Sequence, residues 1–396
     1  GLHLNRSLHM RILHFSWEYP PVMYGGLGTH VLALTQEQAR RGHQVTVITQ
    51  AVPGDPDSSC LVDGVLVIRV ANYYEDALFT QANFDYWVHG FALASQQACD
   101  HMEIAPEVIH AHDWVTAVQL EGASTFLSVP SVLTIHATEF GRHNGWLASK
   151  LSRHVYARER KAIAAADALI VCSEFMSHEI RNGYGVAPKK LEVIPNGIQS
   201  MGPVAKNTLT DRHDGDPDEF VICFLGRLEW EKGVHHVIDA MALIQNRSIR
   251  LEIAGIGSQV EELRNKVARK DLNHRVSFLG HIQEVDRIRT LQSWDVAVIP
   301  SSYEPFGIVA LELGQLRVSL ITSHVGGLTD IVPSSDFGYP IKAIDGASIA
   351  LQINSIFDNP VEARERADRL AGRIESRYTW NQVATATDRV YEVVTK

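Results

Sequence analysis

The chain has 396 residues, 45% hydrophobic and 21% charged, the balance of an ordinary globular protein with room for two or three domains. Its 36 basic and 46 acidic residues leave a formal charge of −10 with no basic run, which disfavours nucleic acid as a partner. No apolar stretch reaches the ~20 residues that a membrane span needs, so no transmembrane segment is expected.

Residues 1–9 read as a tag remnant with Met10 as the natural start, and no signal peptide precedes the first strand. Short apolar runs then alternate with helical stretches, the pattern of α/β architecture with parallel sheets. Strands are expected at 11–16, 44–48, 65–70, 107–112, 131–136, 168–172 and 191–194, with a Gly-rich loop and a helix at 29–41 after the first. They are apolar on both faces, as buried parallel strands must be. Residues 198–218 are rich in Gly, Pro, Asp, Asn and Thr and read as an interdomain linker. The alternation resumes with strands at 220–225, 250–254, 276–279, 296–300, 319–322 and 338–341. Helices are expected at 234–244, 259–269, 284–292, 347–357, 361–376 and 380–394. Two Rossmann-like domains, 10–197 and 218–379, would face each other across a cleft at the carboxyl ends of their strands.

Three places carry chemistry. Gly25, Gly26, Leu27 and Gly28 lie between the first strand and its helix, where free N–H groups and the helix dipole favour an anion. A tight turn is the plain alternative, and the G-x-G-x-x-G dinucleotide spacing is absent. Arg227 and Lys232 follow the first strand of the second half, where a guanidinium and an ammonium could neutralise a diphosphate without a metal and stabilise its growing charge as it leaves. The alternative is a surface ion pair with Glu229 or Glu231. In the stretch Glu304-Pro305-Phe306-Gly307-Ile308-Val309, ending at Glu312, two carboxylates can accept from hydroxyls of sugar or ribose, and the N–H groups of Ile308 and Val309 can face an anion. Its alternative is Glu304 as a helix cap and Glu312 as a solvated side chain.

Nineteen histidines are many, and His110 and His112 share one face of a strand. No third ligand stands at a recognisable spacing, so no metal is expected. The scattered Cys60, Cys99, Cys172 and Cys223 form no Cys-x-x-Cys pair and fit reduced thiols in a cytoplasmic protein.

At these residues the chain resembles the family-4 retaining glycosyltransferases of GT-B fold, and within them the glycogen-synthase-like branch. The resemblance runs in order through Glu18-Tyr19-Pro20-Pro21 with Gly25-Gly26, His110-Ala111-His112-Asp113-Trp114, Thr134-Ile135-His136 and Pro195-Asn196-Gly197. It continues through Gly226-Arg227 with Lys232, Glu304 to Glu312, Val325-Gly326-Gly327-Leu328 and Trp380. His136-Ala137-Thr138-Glu139-Phe140-Gly141-Arg142-His143 and Trp380-Asn381-Gln382-Val383-Ala384-Thr385-Ala386-Thr387 are similar to segments of the actinobacterial α-1,4-glucosyltransferases of glycogen and methylglucose lipopolysaccharide synthesis.

The resemblance implies a hexose, glucose, moved from UDP- or ADP-glucose to a glycan such as an α-1,4-glucan, with no cofactor. Gly25, Gly26 and Leu27 would face the donor phosphates, which Arg227 and Lys232 would bind. Glu304 would hold the transferred sugar, Glu312 the ribose, and Phe306, Gly307, Ile308 and Val309 would line the nucleotide. His136 would sit beside the anomeric centre, with Asp113 and Asn196 near acceptor or sugar. Helix 380–396 would cross back onto the first domain. Two departures stand out: Met23 replaces a lysine usual in glycogen synthases, and Arg317 and Ser319 replace a Gly and a Pro. Rival readings are another hexose donor with a lipid or small-molecule acceptor, a sugar-nucleotide 2-epimerase, and a carbohydrate-binding subunit without turnover.

Overall fold

The computed structural model describes residues 9–23, 26–74, 83–143, 145–201 and 219–396, without the side chains of 121–127 and 284. The expectations placed on Gly25 and on 202–218 of the linker lie outside the described residues. The chain divides into two compact units, one running to Gly197 and joined by Trp380–Lys396, the other Ile198–Thr379.

The first unit runs β1 (Arg11–Phe15), α1 (Gly26–Arg40), β2 (Gln44–Gln50), β3 (Ser58–Val62), β4 (Val65–Val70), α2 (Phe84–Asp100) and β5 (Val108–His112). It continues through α3 (Trp114–Leu127), β6 (Ser131–Ile135), α4 (Glu139–Arg142), α5 (Lys150–Ala165), β7 (Ala168–Val171), α6 (Glu174–Tyr184) and β8 (Leu191–Val193). The strands form one sheet in the order β3-β4-β2-β1-β5-β6-β7-β8, parallel except for β3 against β4. Every residue of β5, β6 and β7 is buried, as in a sheet covered on both faces. Side chains close the helix starts: Thr138, Ser149 and Ser173 accept from the backbone N–H groups of Gly141, Ser152 and Met176. Gly185, left-handed at φ 68°, ends α6.

The second unit holds β9 (Phe220–Leu225), α7 (Val234–Leu243), β10 (Ile249–Ala254), α8 (Val260–Arg269), β11 (Val276–Gly280), α9 (Glu284–Gln292) and β12 (Val296–Ile299). It ends with α10 (Ile308–Gln315), β13 (Ser319–Ser323), α11 (Leu328–Ile331), β14 (Tyr339–Ile341), α12 (Gly346–Asp358) and α13 (Pro360–Arg377). The sheet is parallel, ordered β11-β10-β9-β12-β13-β14. Its core joins Ile222, Leu251 and Val296 of the sheet to Val237 and Ile238 of α7 and Ile353 of α12. The last helix, α14 (Trp380–Val394), belongs to the first unit, where Val383, Ala384, Val390 and Tyr391 share a core with Leu34 of α1 and Val108 of β5.

These are two doubly wound α/β units. In such sheets ligands gather at the carboxyl ends where strand order reverses. That point lies between β1 and β5 in the first unit and between β9 and β12 in the second. Among the strands one differs from the sequence reading: β3 was not expected. It forms an antiparallel hairpin with β4 through Asp63 and Gly64, both at positive φ (51° and 82°), and every one of its residues is exposed. An Asp-Gly pair is the residue choice for that tight turn. Among the described residues no helix is long and apolar enough to cross a membrane.

Candidate functional site

In the second unit β9 delivers Gly226 and Arg227, and a 3-10 turn, Trp230–Lys232, follows. Gly233 then turns left-handed at φ 73° to start α7, and a Cβ there would lie 2.3 Å from the Pro300 carbonyl oxygen. This close approach sets Lys232 beside the loop after β12. Its Nζ lies 2.7 Å from Oε2 of Glu304, with the side chains only 17% and 16% exposed. Ser301 Oγ donates to the same carboxylate oxygen at 3.2 Å. Arg227 instead makes the exposed pair considered as its alternative, with Glu231 at 3.3 Å, while Glu229 accepts from Ser258.

A second loop props the first. Gly327 N–H donates to the Glu304 carbonyl at 2.9 Å. A Cβ at Gly326 would lie 2.0 Å from that carbonyl oxygen, and one at Gly327 would lie 2.4 Å from Phe306 Cα. Only glycine allows the two backbones to stack so closely. Gly307, at φ 104°, turns the chain into α10. The N–H groups of Ile308 and Val309 in its first turn have no hydrogen-bond partner among the described residues, so a positive helix end stands beside Lys232 and Glu304. Phe306 is buried with its ring edge-on to Tyr378, so its side chain packs beneath the loop. Glu312 is not solvated: Arg287 Nη2 of α9 lies 2.7 Å from its Oε2.

In the first unit the corner lies at the ends of β1, β5 and β6. At the start of α1, Gly28 N–H points at Glu18 Oε2, 3.4 Å away. A Cβ on Gly28 would meet Met23 Sδ at 2.3 Å, so Met23 covers this first turn where the resemblance would have a lysine. Asp113 follows β5 at φ 60° and accepts from the backbone N–H of His136 at 2.7 Å. Asn196 is buried, its Oδ1 accepting from His30 Nδ1–H at 2.7 Å.

The fold supplies what the spacing of His110 and His112 lacked. His14 comes from β1, His30 from α1 and His136 from the end of β6, giving two groups of three imidazoles with ligand atoms within 4.8 Å, His14-His110-His112 and His30-His112-His136. Third imidazoles are therefore present, arriving from β1, α1 and the end of β6 rather than at a local spacing. Several of their nitrogens already hydrogen-bond to one another or to Gln38, Thr134, Tyr391 and Asn196.

Burial keeps this cluster neutral. It lowers the pKa of His14 and His136 to about 4 and holds His30, His110 and His112 well below the ordinary value, with neighbouring imidazoles adding to the shift of these last three. Burial also raises Asp113 to about 6 and Glu159 to about 7. An imidazole whose pKa falls on folding binds protons better in the unfolded chain, so its stabilisation is complete above about pH 6.5 and is lost as pH falls toward 4. The two raised carboxyls act oppositely, favouring the fold as pH falls through about 7 and 6. Five imidazoles outnumber them. Urea unfolding should therefore show stability falling by several kcal/mol between pH 6.5 and 4.5. A flat or rising midpoint would contradict the neutral cluster.

The structure thus brings Lys232, Glu304, Gly307, Ile308 and Val309 together, with Glu312 two turns along α10. It joins Asp113 to His136 and Asn196 to His30. Arg287, Ser301, His14, His30 and Gln38 were not singled out from the sequence. Ser301 lies three positions before Glu304 in the same loop, whereas the others reach their partners from another strand or helix, so no local spacing marks them.

Models described as Glycosyltransferase Family 4 and Glycosyl transferases group 1 match residues 24–200 and 206–373. The chain is 36% identical over 396 residues to the glycogen synthase of Mycobacterium tuberculosis, covering 96% of this chain and 94% of that one. It is 28% identical over 407 residues to the alpha-maltose-1-phosphate synthase of Mycolicibacterium smegmatis, covering 97% and 100%. Among solved structures, sucrose-phosphate synthase from Thermosynechococcus elongatus has a TM-score of 0.82 at 22% identity, over 97% of this chain and 98% of that one, a likeness of fold.

Proposed function

The chain belongs to the family 4 and group 1 glycosyltransferases, and from that premise we propose that it transfers glucose from UDP- or ADP-glucose to an α-1,4-glucan with retention of configuration. The observation that carries this reading is the Lys232–Glu304 pair beside the unpaired N–H groups of Ile308 and Val309. An ammonium and a positive helix end suit a diphosphate, and a carboxylate next to them suits the hydroxyls of the sugar it carries. The donor phosphates are assigned to Lys232 and Arg227 with Gly25, Gly26 and Leu27, the transferred sugar to Glu304, and the ribose to Glu312. Phe306, Gly307, Ile308 and Val309 shape the nucleotide site, with Phe306 acting through its backbone. His136, Asp113 and Asn196 are assigned to the transferred sugar and the acceptor. None of Cys60, Cys99, Cys172 and Cys223 forms a disulfide, which fits a reducing compartment, and we assign the enzyme to the cytoplasm.

UDP-, ADP- and GDP-glucose, each offered with maltooligosaccharides, test the reading. Nucleoside diphosphate should appear only with acceptor, whereas donor conversion without acceptor would favour the epimerase. The full-length likeness to an alpha-maltose-1-phosphate synthase supports a second reading, a small-molecule acceptor, so glucose 1-phosphate belongs in the same screen. No metal takes part in this mechanism, because Lys232, Arg227 and the α10 N-terminus supply the positive charge. EDTA should change turnover less than twofold, and a large loss would overturn the metal-free clamp.

A further inference from the structure

The buried imidazoles of the first unit form a chain with a definite proton order. Gln38 of α1 places Oε1 2.8 Å from His14 Nε2 and Nε2 3.2 Å from Tyr391 Oη of α14. An amide oxygen only accepts, so the neutral His14 carries its proton on Nε2 and leaves Nδ1 bare. His14 Nδ1 lies 3.1 Å from His112 Nε2, which must donate to it. His112 Nδ1 is then bare and lies 3.3 Å from His136 Nε2, which donates in turn. His136 is left with a bare Nδ1, which has no partner among the described residues.

The other branch agrees. Because Gln38 Nε2 donates to Tyr391 Oη, the phenol is free to donate to His110 Nδ1 at 2.6 Å, and His110 Nε2–H donates to Thr134 Oγ1 at 2.6 Å. His14, His110, His112, Thr134, Gln38 and Tyr391 are all buried, so each hydrogen bond left unmade there is costly. Turning the Gln38 amide over would reverse every bond and put a proton on His136 Nδ1. The chain therefore has two complete orders, and one amide selects between them.

We propose that Gln38, anchored by Tyr391, is a positioning element that acts through His14 and His112 to hold His136 with its proton on Nε2, so that His136 offers its ligand an acceptor at Nδ1. The consequence for turnover rests on the assignment of His136 to the transferred sugar; the proton order does not. A hydroxyl of the bound sugar would donate to Nδ1, and the reversed order would set a donor there instead. Tyr391 gives α14 a part in this corner from the far end of the chain.

Long-range ¹H–¹⁵N spectra of the full-length enzyme labelled in its imidazole rings read the tautomers directly, with signals assigned by single His→Gln variants. The expected result is Nε2–H for His14, His110, His112 and His136. A proton on His136 Nδ1 in the unaltered protein would overturn the proposal. So would a stoichiometric divalent metal in the purified protein with the cluster's imidazoles as ligands. Tyr391→Phe removes one oxygen four side chains away from His136, and Gln38→Leu removes the selecting amide. In either folded variant the Nδ1–H form of His136 should appear and kcat fall by about tenfold, about what one lost hydrogen bond to the sugar costs. An unchanged His136 tautomer in both would overturn the relay. A changed tautomer with unchanged kcat would leave the proton order standing and overturn its role in turnover, and with it the place of His136 at the sugar. If one variant fails to fold, the other and the unaltered protein still decide the matter.

Discussion

Lys232→Ala should lower kcat by about 10²- to 10³-fold while leaving the fold intact. The ammonium is held 2.7 Å from Glu304, so it is ordered and partly desolvated beside the proposed phosphate site. As the glycosidic bond breaks, the leaving diphosphate gains negative charge, and a fixed cation in a partly dry site stabilises that state more than the ground state. Loss of one such group typically costs about 3–4 kcal/mol of barrier. The structural cost is smaller, of order 1 kcal/mol, because the pair is not fully buried and Glu304 keeps Ser301 as a donor. Arg227 cannot compensate, since it is 62% exposed and paired loosely with Glu231. Steady-state kinetics with a urea unfolding curve separates the two costs. A kcat within threefold of the unaltered enzyme would remove Lys232 from the site.

Glu304→Ala should be at least as damaging, lowering kcat/KM by about 10²- to 10⁴-fold. A carboxylate accepting from two sugar hydroxyls makes two charged hydrogen bonds, each worth about 1.5–3 kcal/mol. Its loss also leaves Lys232 without its counter-charge, so the variant disturbs sugar and phosphate together. Glu304→Gln should recover part of the loss, because the amide keeps one acceptor and the shape. Equal activity of the Ala and Gln variants would mean that Glu304 only props the loop through its backbone, the part already fixed by Gly326 and Gly327.

Most of the strands could be read from the sequence because buried parallel strands are continuous apolar runs separated by helices, and β5, β6 and β7 are buried at every position. The strand β3 was missed because it is five residues long and wholly exposed, with no buried face to set a pattern, although Asp63-Gly64 carried the hairpin signal. Within the candidate site, Glu304 and Lys232 were legible because a glycine stands near each and each follows a strand's carboxyl end. The partners of Glu312 and His136 were not. Arg287 reaches Glu312 from a helix 25 positions away, and His14 reaches His112 from a strand 98 positions away. Such contacts are set by strand order, which no local spacing encodes. Asn196 shows the same limit, since its motif was legible but its hold on His30, 166 positions away, was not.

The proposed transfer of a glucosyl group from a sugar nucleotide to an α-glucan with retention is decided by a ¹H NMR time course. UDP- or ADP-glucose and maltotriose, incubated with the enzyme, should lose the donor's α-anomeric signal as a new α-1,4 signal grows in equal amount, one per nucleoside diphosphate released. A β-linked product, or donor consumption without a new glycosidic signal, would contradict it.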